Sequence, residues 1–346
     1  MLPHLLEALS GSWQHALQDV VLVPPLHALQ IGSPAGEARK VTFLVFNEGA
    51  SEPVLLLKVV RESTYQAQLQ QEFAVLKRLW QRRELRGTVP QPLGLFGHAG
   101  RLVMIEAFLP GTPLTVLWRR RSQRRPEAVA AHFQEAEAWL NVLQNACRGK
   151  GPPAVSREPV TWQAVTLRLQ QLPPPPLPGR FLAELQKLVE TYRDVKLAPV
   201  SSHGDYWPGN LFWRDTCDGH VAVADWETFN TARPPYYDFF HFLTTYVQSY
   251  PWRLWRRPSR AERFRRGFLD DTWLARLVAS SITSHLQQLG LPPAAARLFY
   301  PLFLLQMAAP ATDESEKQGQ QAIAWQETLR HYAIAPVAAR QRPLKG

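Results

Sequence analysis

The fold is decided by the stretch SSHGDYWPGNLFWRDTCDGHVAVADWETFN, residues 201–230 of the chain. In this stretch Asn210 follows Asp205 by five positions, and Asp225 follows Asn210 by fifteen. The segments NLFWRD and HVAVADWE favour two short strands around the turn TCDG, because β-branched and aromatic residues are typical of strands. A hairpin of these strands would place Asn210 near its start and Asp225 near its end. We therefore expect both side chains to face a single site.

Two carboxylates and an amide at this spacing meet the needs of phosphoryl transfer. One aspartate must orient a hydroxyl and accept its proton, while an amide oxygen and a second carboxylate hold magnesium against nucleotide phosphates. Protein kinases use H-R-D-x-x-x-x-N followed by D-F-G for these tasks, and the spacing from Asp205 to Asn210 is the same. In the alternative interpretation, HGD is a simple turn and Asn210 an ordinary turn residue.

The motifs HGDYWPGN and ADWE resemble those of the aminoglycoside phosphotransferase and choline kinase superfamily. Members of that superfamily have a protein-kinase-like fold and phosphorylate small molecules. The tryptophan within HGDxW is also similar to that of fructosamine kinases. The resemblance implies that Asp205 is the catalytic base and that Asn210 and Asp225 bind Mg²⁺. It makes Glu227 an auxiliary ligand of the metal or of a water molecule.

Upstream residues resemble the nucleotide-binding part of the same superfamily. Lys58 in LLLKVV occupies the place of the strand lysine that contacts nucleotide phosphates, and Glu72 lies fourteen residues further on. A carboxylate beside that lysine keeps its ammonium aimed at the phosphates. The segment MIEAFLPG resembles the interlobe hinge that pairs with adenine, which assigns Glu106 and Phe108 to ATP binding. Taken alone, Lys58 would be a solubilising edge-strand residue and Glu72 a solvated helix position.

Other positions match the superfamily or depart from protein kinases. By the same resemblance, His203 and Asp238, the latter in PPYYDFFHFL, have structural roles. Gly204 replaces the arginine of H-R-D, and no A-P-E motif follows, so regulation by a phosphorylated activation loop has no anchor here. The turn IGSPAGEA, residues 31–38, would cover the phosphates with its serine and backbone amides, although it is not G-x-G-x-x-G.

The predicted fold class is α+β, a two-lobed protein-kinase-like fold. Residues 1–106 would form the nucleotide-binding lobe, an antiparallel sheet with strands KVTFLVF, VLLLKVV and RLVMIEAF and one long helix over residues 63–86. The segment TVPQPLGLFGHAG is expected to be turn-rich. Residues 107–346 would form a mostly helical lobe with the catalytic hairpin and the acceptor site, including helices over 126–147 and 181–195. ATP and magnesium would lie in the cleft.

Composition restricts the class of protein further. The chain has 346 residues, 45% of them apolar, which is enough to bury a core. Its two cysteines, Cys147 and Cys217, give no support to a disulfide framework or a structural zinc site. The longest apolar stretch, residues 298–310, is shorter than the roughly 20 residues of a membrane span. The N-terminus lacks a secretory signal, so we expect a cytoplasmic protein without a transmembrane helix.

The formal net charge of +10 is concentrated in two arginine-rich segments. Residues 118–125 contain five arginines and residues 252–266 contain seven. One interpretation is that they are solvated helix faces; the other is that they attract an anionic acceptor or a membrane surface. No nucleic acid is expected, because no nucleic-acid-binding motif accompanies them.

The sequence thus predicts an ATP-dependent phosphotransferase acting on a hydroxyl of a small molecule, with GTP left open as the donor. The expected acceptor is a sugar or glycan precursor, or an anionic molecule. The net charge of +10 is poorly suited to attract a polycationic aminoglycoside. Two alternatives are a catalytically inactive nucleotide-binding protein and an interaction protein that uses its arginines on an anionic surface.

Overall fold

The computed structural model describes residues 2–17, 20–31, 40–148, 160–215, 221–252, 258–309 and 316–335. Within these residues the strands are β1 His27–Ile31, β2 Lys40–Phe46, β3 Leu55–Val60, β4 Pro92–His98, β5 Arg101–Ala107, β6 Thr112–Pro113, β7 Val200–Ser202, β8 Leu211–Trp213, β9 Val221–Val223 and β10 Asn230–Arg233. The helices of the described residues are α1 Leu2–Ser10, α2 Gln66–Trp80, α3 Leu114–Leu117, α4 Pro126–Cys147, α5 Trp162–Gln170, α6 Gly179–Thr191, α7 Tyr237–Ser249, α8 Arg260–Phe264, α9 Trp273–Gln288, α10 Ala296–Ala308 and α11 Glu316–Ile334.

The chain forms two compact units, and each is assembled from several stretches of sequence. Unit 1 comprises Met1–Pro113, His203–Asp205 and Asn210–Phe229. Unit 2 comprises Leu114–Ser202, Tyr206–Gly209 and Asn230–Gly346. The hairpin of β8 and β9 therefore belongs to unit 1, although it follows helices α3–α6 of unit 2 in sequence.

The main element of unit 1 is an antiparallel sheet with the strand order β1-β2-β3-β5-β4. The register pairs Lys58 with Thr42 on one side and with Met104 on the other. Lys58 consequently lies on a central strand, so the alternative that it is an edge-strand residue is wrong.

The two faces of this sheet differ in character because side chains alternate along each strand. One face joins α1 in a buried apolar core, which includes Leu5, Leu9, Val41, Phe43, Val45, Leu55, Leu57, Val59, Val103 and Ile105. The opposite face carries Lys40, Lys58 and Glu106, since Lys40 is paired with Val60, and Glu106 with Leu56. The core thus supports one side of the sheet and leaves the other for polar chemistry.

Strand β4 lies in the segment expected to be turn-rich and was not predicted from the sequence. This strand pairs with β5 along its length, and the loop between them is Ala99–Gly100. Both loop residues have positive φ, 47° and 73°, as a type I′ hairpin turn requires. Pairing with β5 therefore overrides the weak strand propensity of a segment rich in glycine and proline.

A second, small sheet of unit 1 has the strand order β6-β8-β9. Its register pairs Leu211 with Val223, and the amide of Ala224 donates to the carbonyl of Asn210 at 3.0 Å. Asn210 and Asp225 therefore emerge at the same end of the hairpin, as the sequence predicts. The turn TCDG, residues 216–219, lies outside the described residues, and so do residues 32–38 of the turn that is predicted to cover the phosphates.

Unit 2 is mostly helical, with one short sheet formed by β7 and β10. Helix α4 has the predicted bounds, whereas α6 begins and ends a few residues earlier than predicted. Asp238 is buried at the start of α7 and accepts a hydrogen bond from the Ser202 hydroxyl at 2.8 Å. Among the described residues, none of the helices has the length and hydropathy needed to cross a bilayer.

The second arginine-rich segment is described only in part, since Arg253, Arg256 and Arg257 lie outside the described residues. Its other arginines each contact a residue of unit 2: Arg260 with Trp325, Arg263 with Gln248, Arg265 with Asp270 and Arg266 with Glu262. These four side chains thus have structural partners. An anionic ligand for the remaining arginines stays a prediction.

Candidate active site

Lys58 is the centre of a charged cluster on the polar face of the unit 1 sheet. Its side chain is 6% exposed and forms an ion pair with Glu72, which α2 contributes. Its Nζ also lies 3.6 Å from Glu106 Oε1 and 3.7 Å from Asp225 Oδ1. Burial opposes the charged form of Lys58, but these carboxylates outweigh it and raise the pKa of Lys58 above the usual lysine value. The ammonium is therefore charged at neutral pH.

Glu72 connects this lysine to the segment predicted to bind metal. The same oxygen, Oε1, accepts a hydrogen bond from Lys58 and one of 3.2 Å from the backbone amide of Trp226. Glu72 is only 1% exposed, so the alternative that it is a solvated helix position is wrong. Since Trp226 directly follows Asp225, Glu72 positions the Lys58 ammonium and the backbone beside Asp225 together.

Asp225 adopts a left-handed backbone conformation, with φ of 67°. Aspartate and asparagine tolerate this region better than most residues do. Burial acts to raise the pKa of Asp225, but the ammonium groups of Lys40 and Lys58 outweigh it and hold the pKa below the usual range. Asp225 is therefore an ionised carboxylate facing two cations.

Lys40 is a site residue that the sequence analysis missed. Its Nζ donates to Asp225 Oδ1 at 2.9 Å and to Glu227 Oε2 at 2.7 Å. Its position in the sequence could have indicated a role in the site, because Lys40 begins β2 next to the glycine-containing turn. It also lies on the sheet face that carries Lys58. The partners of Lys40 could not be read locally, since they lie 185 and 187 residues away in the chain.

Asp205 and Asn210 are joined by hydrogen bonds within unit 1. The side-chain amide of Asn210 donates to the carbonyl of Asp205 at 3.0 Å and to its carboxylate at 3.2 Å. Both bonds use Nδ2, which leaves the Asn210 side-chain oxygen as the atom suited to a cation.

His203 supports the backbone at this point. It is fully buried, its Nδ1 accepts from the Asp205 amide at 3.3 Å, and its Nε2 contacts the Ala224 carbonyl at 3.0 Å. The ring also packs edge-on against Trp226, with centroids 4.7 Å apart. His203 therefore holds the backbone of Asp205 against the residue that precedes Asp225.

The two residues predicted at the hinge differ in their surroundings. Glu106 is 2% exposed, and its Oε2 has no hydrogen-bond partner among the described residues. The side chain of Phe108 is half-buried, and its amide donates to the Val54 carbonyl at 3.1 Å, so this amide is already paired within unit 1. The structure thus brings Glu106, rather than Phe108, into the charged cluster.

The burial of Glu106 leads us to expect that the stability of the protein depends on pH. Burial, only partly offset by Lys58, raises the pKa of Glu106 from 4.5 to about 7. Between these values the folded chain holds a proton that the unfolded chain has released, so stability falls as pH rises through this window. Glu106→Gln has no carboxyl group to titrate at this position, so it should not lose stability in this way. We expect its free energy of unfolding, measured by urea unfolding, to rise relative to that of the parent by at most about 3 kcal/mol as the pH increases from 5 to 8.

The exposed Glu84 of unit 1 offers a matched control. Glu84→Gln makes the same substitution at an exposed position outside the charged cluster, and its stability difference from the parent is measured over the same pH range. A Glu106→Gln difference that follows the Glu84→Gln difference at every pH would show that Glu106 does not titrate in this range.

Gly204 occupies a position that no larger residue fits. Its φ is 88°, and a Cβ there would lie 2.3 Å from the carbonyl oxygen of Thr228. The Thr228 hydroxyl in turn donates to the His203 carbonyl at 3.0 Å. The arginine found here in protein kinases would therefore displace the backbone that holds His203.

Two glycine substitutions separate this clash from backbone strain. Gly87 also has a positive φ, 74°, but nothing lies within 4 Å of its added Cβ. Gly87→Ala should cost about 1–2 kcal/mol from strain alone. Gly204→Ala should cost at least about 2 kcal/mol more, because the neighbouring backbone must move. Equal losses in urea unfolding would mean that the Thr228 contact is relieved without cost.

The cluster's charges and donor atoms fit a divalent cation. Two ammonium groups, of Lys40 and Lys58, face four carboxyl groups, those of Glu72, Glu106, Asp225 and Glu227. One oxygen each of Glu72, Asp225 and Glu227 lies within 4.8 Å of the others. Carboxylate and amide oxygens are the ligands that Mg²⁺ prefers.

Comparison with known proteins assigns the chain to a family. Residues 35–277 match the model of the phosphotransferase enzyme family, APH, and the chain belongs to that family. No curated protein matches the chain significantly.

Solved structures share the fold. APH(2")-IIIa, in complex with GDP and kanamycin, is 12% identical, with 93% of this chain and 97% of that chain covered and a TM-score of 0.51. An inferred aminoglycoside phosphotransferase from Ralstonia eutropha JMP134 is 17% identical, with 92% and 96% covered and a TM-score of 0.54. The fold is the two-lobed protein-kinase-like α+β fold that the sequence predicts.

Proposed function

We propose that the protein transfers the γ-phosphoryl group of ATP to a hydroxyl of a small molecule. The observation that carries this proposal is the double role of Glu72, which accepts hydrogen bonds from Lys58 and from the amide next to Asp225. Glu72 thereby aligns the Lys58 ammonium, which would contact the nucleotide phosphates, with the Asp225 carboxylate, which would bind the metal. A merely structural ion pair would not require the second contact.

In the proposed reaction Asp205 is the general base. Its carboxylate, held by the Asn210 amide, accepts the proton of the acceptor hydroxyl as that oxygen bonds to the γ-phosphorus. The bond from the γ-phosphorus to the bridging oxygen breaks, and ADP leaves. The Lys58 ammonium neutralises charge on the phosphates. The product is a phosphate monoester.

Asn210, Asp225 and Glu227 are the proposed ligands of Mg²⁺. When bound, this ion supplies positive charge to the phosphate oxygens. His203 acts as a positioning residue for Asp205, and Asp238 has a structural role within unit 2. Glu106 and Phe108 remain proposed contacts of the nucleotide, and the division into lobes at residues 1–106 and 107–346 remains a proposal as well.

The acceptor is proposed to be neutral or anionic, with a sugar or glycan precursor as the first choice. The net charge of +10 repels polycations at long range and attracts anions. The test is a phosphorylation screen of alcohols, amino sugars, sugar phosphates and nucleosides, with ATP and GTP as alternative donors. Formation of a phosphorylated product that depends on Asp205 would support the proposal. Nucleotide binding with no turnover on any acceptor would favour an inactive nucleotide-binding protein instead.

A further inference from the structure

Lys40 belongs to none of the motifs that define the phosphotransferase site, yet its ammonium lies between two of the site's carboxylates. The contacts of 2.9 Å to Asp225 Oδ1 and 2.7 Å to Glu227 Oε2 have the length of charge-assisted hydrogen bonds. The Lys40 ammonium therefore occupies the position between these two carboxylates.

A divalent ion held by Asp225 Oδ1 and Glu227 Oε2 would need the oxygen atoms that Lys40 now holds. Mg²⁺ binds oxygen at about 2.0–2.1 Å and demands a nearly complete octahedron of ligands. An ammonium held on the same two oxygens would occupy part of that octahedron and repel the ion at close range. The two cations cannot share this position.

We propose that Lys40 is a tethered cation that occupies the divalent-metal position between Asp225 and Glu227 and must leave it when the metal binds. This inference rests on the proposed function, because that function assigns the metal to Asp225. Lys40 thereby lowers the affinity of the empty site for free metal and keeps its carboxylates neutralised.

The surroundings of the two lysines indicate which one leaves. Lys40 stands at the first residue of β2, and its side chain is 26% exposed. Lys58 lies on a central strand, is 6% exposed and faces Glu72, Glu106 and Asp225. Lys40 can swing its long side chain into solvent, whereas Lys58 would leave buried carboxylates without a partner.

Release of Lys40 also couples metal to nucleotide. When nucleotide phosphates are present, the freed Lys40 ammonium gains a new anionic partner. Moving it away from Asp225 and Glu227 therefore costs less free energy. Nucleotide should then raise the affinity for metal, and by linkage metal should raise the affinity for nucleotide.

The first test follows the reactivity of Lys40 in the unmodified protein. An amine-acetylating reagent is applied with and without saturating Mg²⁺, and mass spectrometry measures the rate at Lys40 and at the exposed Lys77 of α2. Metal should raise the Lys40 rate at least about threefold, because the released side chain moves from between Asp225 and Glu227 into solvent, where the reagent reaches it. The Lys77 rate should not change, and Lys58 should stay protected. A Lys40 rate that is unchanged or lower with metal bound would overturn the proposal.

The second test measures metal affinity with Mn²⁺, followed by the electron paramagnetic resonance of the free ion. Lys40→Met should tighten Mn²⁺ binding at least about fivefold, since no ammonium has to be displaced. Lys77→Met removes the same charge elsewhere and should change the affinity less than about twofold. Equal or weaker binding by Lys40→Met, or no binding by either it or the parent, would contradict the proposal.

Failure of this inference is distinguishable from failure of the proposed function. Turnover in the acceptor screen together with a Lys40 rate that ignores metal would overturn only the role of Lys40. Metal-dependent release of Lys40 without turnover on any acceptor would support the inference and count against phosphoryl transfer.

Discussion

Asp205→Asn is expected to reduce turnover at least about a hundredfold while nucleotide affinity stays nearly unchanged, because general-base contributions are typically about 10² to 10⁴. The amide cannot take the proton of the acceptor, whereas its oxygen can still accept the hydrogen bond from Asn210. The contacts of Lys58 to Glu72 and Asp225 do not involve Asp205 and should remain. Steady-state kinetics with an acceptor from the screen, together with calorimetric titration of nucleotide, measures both quantities.

Asp215 provides the matched control for this variant. It is an exposed aspartate two residues after the end of β8, within unit 1, and has no role in the proposed chemistry. Asp215→Asn should therefore turn over at the parental rate. Activity of Asp205→Asn within about threefold of the parent would exclude Asp205 as the base, since a general base contributes far more.

Asp225→Asn is expected to have a larger effect than Asp205→Asn, because it should weaken both metal-dependent nucleotide binding and turnover. Charge stabilisation by a metal is worth several kcal/mol, so the expected loss of turnover is at least about a thousandfold. Asparagine is a better substitute than alanine, since it tolerates the left-handed backbone of Asp225. The variant therefore removes the charge with little added strain.

The measurement is a titration of ATP with and without Mg²⁺, accompanied by thermal unfolding. Folded Asp225→Asn should bind ATP equally in both conditions, whereas the parent and Asp215→Asn should bind it more tightly with the metal. The contrast with Asp205→Asn is diagnostic, because that variant keeps the effect of Mg²⁺ on binding. An intact Mg²⁺ effect in Asp225→Asn would remove Asp225 from the metal site.

Elements specified by local patterns could be predicted from sequence. Helix α4 has the bounds that its apolar periodicity and Pro126 predict, because both signals lie within the helix itself. The β8–β9 hairpin likewise follows from residue types within one short stretch. Strand β4 could not be predicted in this way, since its stabilisation comes from pairing with β5 rather than from its own composition.

The site was predictable where it depends on a motif and was missed where it depends on distant pairing. Asp205, Asn210 and Asp225 lie within one short stretch of sequence, so their spacing can be recognised directly. Lys58 lies on β3 and Glu72 on the next helix, α2, so this pair is also close in sequence. Lys40 resembles any lysine at the start of a strand until the fold brings it to Asp225. The burial of Glu106 likewise follows from its position in the sheet and not from its neighbours in sequence.

The long sequence separations within unit 1 have a consequence for how this chain acquires its structure. Lys40 and Asp225 are 185 residues apart, and Glu72 and the amide of Trp226 are 154 apart. During synthesis, strands β1–β5 leave the ribosome before the segment that contains Asp225 and Trp226. At that stage Lys58 and Glu72 are present, but the segment that completes their contacts is not. Such high contact order slows folding, and partly paired buried charges weaken the early intermediate. The sheet should therefore gain its full stability only after synthesis has passed Glu227, so the final folding step and the assembly of the charged cluster are one event.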